Sequence, residues 1–109
     1  MAGSDFALEH AAVWAAIDDL AVQVGLSVGM LATAAGLDPG TLSLSKRFDK
    51  RGRPRWPSTE TVTAVLRATD TTFQEFGMLV DAIRYAMARE ANRALSDEAR
   101  RNVRDQSAA

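Results

Sequence analysis

One glycine constrains this chain more than any other residue. Gly36 stands between two short apolar patterns, so a helix must stop there and another must start soon after, because glycine takes the positive φ of such a stop at little cost. Upstream, Ser27 is an N-cap residue whose hydroxyl can accept from a free amide of the opening turn. Met30, Leu31, Ala34 and Ala35 then fall on one helical face. Downstream, Leu37 is an apolar anchor, Asp38 can cap the next helix, and Pro39 suits its first position, where a missing N–H costs nothing. Leu42 is the buried tooth of that second helix, expected over residues 39–46. Ala32 and Ala35 are small enough to let the two helices cross closely.

Two helices joined in this way form a helix-turn-helix pattern, and local charge agrees with it although global charge does not. The formal net charge is −1, so no overall basic excess draws the chain to DNA. Residues 1–25 carry four carboxylates and no Lys or Arg, whereas residues 26–57 carry six basic residues against Asp38 and Asp49. Residues 58–109 hold seven Arg against eight carboxylates. The positive field is therefore concentrated at Lys46, Arg47, Lys50, Arg51, Arg53 and Arg55, directly after the second helix, where phosphate contacts would be needed. A solvated charged loop is the plainer reading of the same residues.

With Leu31-Ala32, Ala35-Gly36-Leu37 and Leu42 in register, residues 26–42 resemble the lambda-repressor-like (Xre-type) helix-turn-helix domain. DPGTLSLSKR followed by GRPRWPSTETV is similar, more specifically, to the N-terminal domain of LexA-like, peptidase-fused repressors of alphaproteobacteria. The resemblance covers residues 13–80 and implies a transcriptional repressor. Two exposed recognition positions that tend to carry larger polar side chains in that family hold Gly40 and Leu44 here. Gly40 offers no hydrogen bond, and Leu44, about 200° round the helix from Leu42, faces outward and can touch only a thymine methyl. Thr41, Ser43 and Lys46, with Ser45 beside them, remain as candidates at base edges. The expected DNA-binding residues are thus Ser27, Thr41, Ser43, Lys46, Arg47, Lys50, Arg51, Arg53 and Arg55, with phosphate contacts supplying most of the affinity. A LexA-like peptidase needs a serine and a lysine base on a separate domain. The only lysines are Lys46 and Lys50, so no self-cleavage is expected.

The remaining pattern is helical throughout. Val13, Trp14, Ile17, Leu20, Ala21 and Val24 make an amphipathic helix ending at Gly25. Residues 47–57 form a loop punctuated by Gly52, Pro54 and Pro57. Ser58 caps a fourth helix with an inner stripe of Val62, Val65, Leu66 and Thr69, and Glu60 is favourable in its first turn. Thr72 and Glu75 form a capping box for a fifth helix, over 73–95, whose stripe is Phe73, Phe76, Leu79, Val80, Ile83 and Met87. Ser96 looks like the cap of a final polar helix. The expected fold is all-α, a compact helical bundle with a helix-turn-helix, five core helices and a polar C-terminal helix. Residues 8–81 form the DNA-binding domain and residues 82–109 a helical extension.

Several residues invite a functional reading that their surroundings do not favour. Trp14 lies in an apolar stripe and reads as core, while Trp56 reads as an anchor packing the basic loop on the body. His10 has no cysteine partner, so no metal is expected. Asp18 and Asp19 point about 100° apart on a helix and read as a solvated face. Met30, Met78 and Met87 fit core or interface spacing. With no catalytic constellation in view, neither enzymatic activity nor a cofactor is expected. The absence of cysteine excludes disulfides. The acidic N-terminus and the lack of a long apolar run point to a soluble cytoplasmic protein with no membrane contact. The expected partners are double-stranded DNA and a second copy, in a homodimer through helix 73–95 and the C-terminal extension. The alternative is a protein-interaction module, antitoxin-like or an anti-repressor, which exposed Leu44 would suit.

Overall fold

The chain is all-α in its computed structural model, which describes residues 6–108. Four α-helices occur among the described residues: α1 (Ala7–Gln23), α2 (Val28–Ala34), α3 (Thr59–Ala68) and α4 (Phe73–Ala108). Among the described residues a single 3-10 turn lies at Leu44–Lys46 and no strand is formed. The first three helices stop alike. Gly25, Gly36 and Asp70 adopt φ of 73°, 78° and 52°, and each is flanked by the paired hydrogen bonds of a Schellman end. Leu26 N–H thus reaches Ala21 O at 2.9 Å, Leu37 N–H reaches Ala32 O at 2.8 Å, and Thr71 N–H reaches Leu66 O at 2.9 Å. Asp70 is the one described non-glycine with positive φ, a conformation that short polar side chains tolerate better than others.

Helix starts follow the sequence closely. Ser27 Oγ accepts from Met30 N–H and Ser58 Oγ from Thr61 N–H. Thr72 and Glu75 exchange the two bonds of a capping box, at 2.9 and 3.0 Å. The Thr72 N–H on its carboxylate holds Glu75 below the usual carboxylate range.

The core gathers Trp14, Ala16, Ile17, Leu20 and Ala21 of α1, Leu31 and Ala32 of α2, Leu42, Val65 and Leu66 of α3, and Phe76 of α4. Ile17, Leu31, Leu42 and Val65 are wholly buried, each contributing about 1.5–3 kcal/mol of transfer free energy. The chain turns by 81° between α1 and α2, and α1 lies chiefly along the first half of α4. The buried face of α2 is centred on Leu31 and Ala32 rather than on Met30 and Ala34, which are exposed; Phe73 and Met78 are exposed too.

Two expected elements are absent. Residues 39–46 are not an α-helix: the bonds there are i to i+3, from Thr41 N–H to Asp38 O, Ser43 N–H to Gly40 O and Lys46 N–H to Ser43 O. Asp38 therefore caps through its backbone carbonyl. Gly40 costs such a short helix about 1 kcal/mol, and Ser43 and Ser45 bond to each other at 2.9 Å instead of pointing into solvent. The Leu42 carbonyl, which an α-helix would offer to Lys46 N–H, accepts instead from Arg47 Nη2 at 2.9 Å.

The expected break before Ser96 does not occur either, so the fifth and final helices are one, and four α-helices stand where six were expected. No glycine or proline follows Gly77, and Ala- and Arg-rich sequence propagates a helix readily. At about 1.5 Å per residue, its 36 residues account for most of the 61 Å long dimension of the molecule. α4 runs unbroken past residue 81, and the last residue of the 82–109 extension lies outside the described residues. No single helix among the described residues is long and apolar enough to cross a membrane.

Candidate nucleic-acid interface

Between the 3-10 turn and α3 the chain doubles back as a short hairpin, closed by one bridge between Phe48 and Pro54. Asp49 organises its tip. Its Oδ1 accepts from the Arg51 and Arg53 amides at 2.8 and 2.9 Å, and its Oδ2 from Arg53 Nε at 2.7 Å. The Arg53 N–H, with Arg51 N–H and the Arg53 guanidinium behind it, holds Asp49 below its ordinary value. Gly52, at φ 78°, makes the turn and donates to Asp49 O at 2.9 Å.

The tip carries the cations outward. Lys46, Lys50, Arg51, Arg53 and Arg55 are exposed and, with Ser45, Phe48 and Asp49, line an open concavity of about 610 Å³. Of these five cations only Arg53 has an ion-pair partner among the described residues, Asp49. A second, smaller concavity of about 270 Å³ is reached past Lys46 and Arg55 and includes Thr41, Trp56, Ser58 and Thr61. The structure thus gathers six of the nine expected residues, Thr41 among them, around two adjoining hollows.

The other three are placed differently. Ser43 is half-buried and bonded to Ser45. Ser27 caps α2 and borders a separate apolar hollow with Met30, Thr33 and Pro39. Arg47, expected among the DNA-binding residues, is withdrawn from the cationic surface and only 7 % exposed. Its guanidinium donates two bonds of 2.6 and 2.8 Å to Asp18 and a third to the Leu42 carbonyl, and it lies over the Trp14 ring at 4.8 Å.

Sequence reasoning missed the residues that hold the hairpin. The His10 Nε2 edge lies 2.9 Å from Arg47 O and 3.0 Å from Arg55 O. Trp14 Nε1–H donates to Arg55 O at 2.8 Å, and Arg55 N–H donates to Arg47 O at 2.8 Å. The His10 ring meets Phe48 and Trp56 edge-on at 4.9 and 5.4 Å, and Trp56 stays 49 % exposed rather than packing fully on the body. Asp18 is the partner of Arg47, although its side chain keeps a water-facing side, while Asp19 accepts from Gln23 at 3.2 Å. The available signal was spacing: His10, Trp14 and Asp18 stand at i, i+4 and i+8 on one face of α1. Comparison with family models, with curated proteins and with solved structures gives no match.

Proposed function

We propose that this chain is a DNA-binding transcriptional regulator that grips the duplex backbone with the hairpin at residues 46–55. One observation carries the reading: five exposed cations, four of them without an ion-pair partner among the described residues, surround one hollow on a chain whose net charge is −1. That geometry suits a run of phosphates, which bind through point charges and guanidinium forks and release counterions on neutralisation. Thr41 and Lys46 border the adjoining hollow and are the side chains nearest to base edges, with Ser43 behind them. Since residues 39–46 are turns rather than a helix, base readout is narrow and phosphate contact dominates. The repressor role rests on the likeness of GRPRWPS and its neighbours to LexA-like repressors.

Substitution of Lys50 and Arg55 by Gln tests the reading without disturbing Asp49, which Arg53 holds. In a fluorescence-anisotropy titration, the log–log dependence of affinity on salt should flatten by about two units, on any duplex. An unchanged slope overturns the assignment.

The distal half of α4 supports a second copy as partner. From Arg89 to Asp105 every residue is exposed, and Ala88, Ala91, Leu95 and Ala99 share one face at helical spacing. Two chains joined there would present two hairpins to paired half-sites. Sedimentation equilibrium should give a concentration-dependent mass for the full chain and a fixed monomer mass for a chain ending at Ala88. A monomer in both cases removes the dimer.

One observation favours a second reading, a protein-interaction module. Leu44 is 76 % exposed and lines, with Ala11, Ala15 and Phe48, an apolar cleft of about 240 Å³. Failure of the unsubstituted chain to bind any duplex at low salt would favour this reading.

A further inference from the structure

The hairpin that carries the cations is held within itself by the Asp49 turn, the Arg55–Arg47 backbone bond and a single bridge. Its Phe48 is exposed, and a two-stranded hairpin alone in water is marginal at best. Five like charges along it repel one another and favour an open loop. Yet both of its roots are fixed to a helix far away in sequence. The Arg47 and Arg55 carbonyls, which face each other across the neck, receive His10 and Trp14. The Arg47 side chain, one residue before the bridge, is locked by Asp18 one helical turn further along α1. That ion pair also cancels a charge at the neck that would add to the repulsion.

We infer that His10, Trp14 and Asp18 are positioning residues that hold the cationic hairpin in its nucleic-acid-binding shape before any ligand arrives. α1 touches no phosphate in this arrangement. It removes the ordering that a loose basic loop would undergo on binding. The inference rests on the DNA-binding reading for its purpose, but the clamp itself is a property of the free chain.

Trp14→Phe tests it, because a smaller aromatic ring is kept in the core beside Arg47 while the Nε1–H donor to Arg55 O is lost. Asp18→Asn is the second variant; it sits at the half-exposed end of the ladder and keeps an acceptor for Arg47. Amide exchange in the free chain should speed up at Gly52, Arg53 and Arg55 at least tenfold more than at Ile17 and Leu20 in each variant. Affinity for duplex DNA at fixed salt should fall about tenfold while the salt slope stays that of the unsubstituted chain, since the same cations reach the same phosphates. Unaltered exchange in the hairpin overturns the clamp. Faster exchange with unaltered affinity overturns its positioning role, as does a flattened slope, which would make the substituted residue a contact. If the unsubstituted chain binds no duplex, the function reading fails, and the exchange measurement still decides whether α1 holds the hairpin.

Discussion

Asp18→Ala is expected to lower the unfolding free energy by about 3 kcal/mol, more than Arg47→Met, which is expected to cost about 1–2 kcal/mol. The asymmetry follows from which partner water can reach. The Arg47 side chain is 9 % exposed and the Asp18 side chain 41 %. Removal of the carboxylate strands a guanidinium that keeps its charge in proteins, left with the Leu42 carbonyl and the Trp14 face. Arg47 Nε is already a buried side-chain nitrogen without a partner, so little local capacity remains to absorb the loss. Removal of the arginine instead leaves a carboxylate that water rehydrates, and methionine fills much of the vacated space beside Trp14. Urea denaturation followed by circular dichroism measures both. An equal or larger loss for Arg47→Met would mean that the pair is effectively a surface ion pair, of the kind worth under about 1 kcal/mol.

Leu42→Ala is expected to cost about 3 kcal/mol. Leu42 is wholly buried, and truncation of a buried leucine removes its transfer free energy and leaves a cavity, a loss spanning roughly 2–5 kcal/mol. The lower half of that span applies because the segment around it is held by i to i+3 turns and can relax inward further than a helix could. The same relaxation moves the Leu42 carbonyl away from Arg47 Nη2. Leu42→Ala and Asp18→Ala therefore share a partner, and their combined cost should fall short of the sum by about 1 kcal/mol. A loss under about 1 kcal/mol for Leu42→Ala alone would show that residues 38–46 are not anchored in the core.

Most of the local structure was legible because it depends on few neighbours. Ser27, Ser58 and the Thr72/Glu75 box cap helices through bonds that span three residues. Gly25 and Gly36 end helices through their own φ. The outward position of Leu44 and the grouping of Lys46, Lys50, Arg51, Arg53 and Arg55 were likewise readable, since a short loop cannot scatter its residues. Met30 was misassigned because a helix as short as α2 offers two plausible apolar faces, and only the neighbouring helix selects one; Phe73 was misassigned because it opens the first turn of α4, where the stripe has not yet reached the core.

What the sequence determined by itself, then, was the all-α class, the caps and stops of its helices, and the place where positive charge collects. The tertiary structure alone decided two further features. Residues 39–46 gave up an α-helix because Arg47 takes the Leu42 carbonyl that the helix would have used. Arg47, one basic residue among six, was withdrawn from the surface because Asp18, 29 positions earlier, and Trp14 lie where its side chain reaches. The physical reason is common to both. A backbone or guanidinium group takes the partner that best replaces its lost water, and when that partner lies far along the chain only the folded arrangement brings the two together.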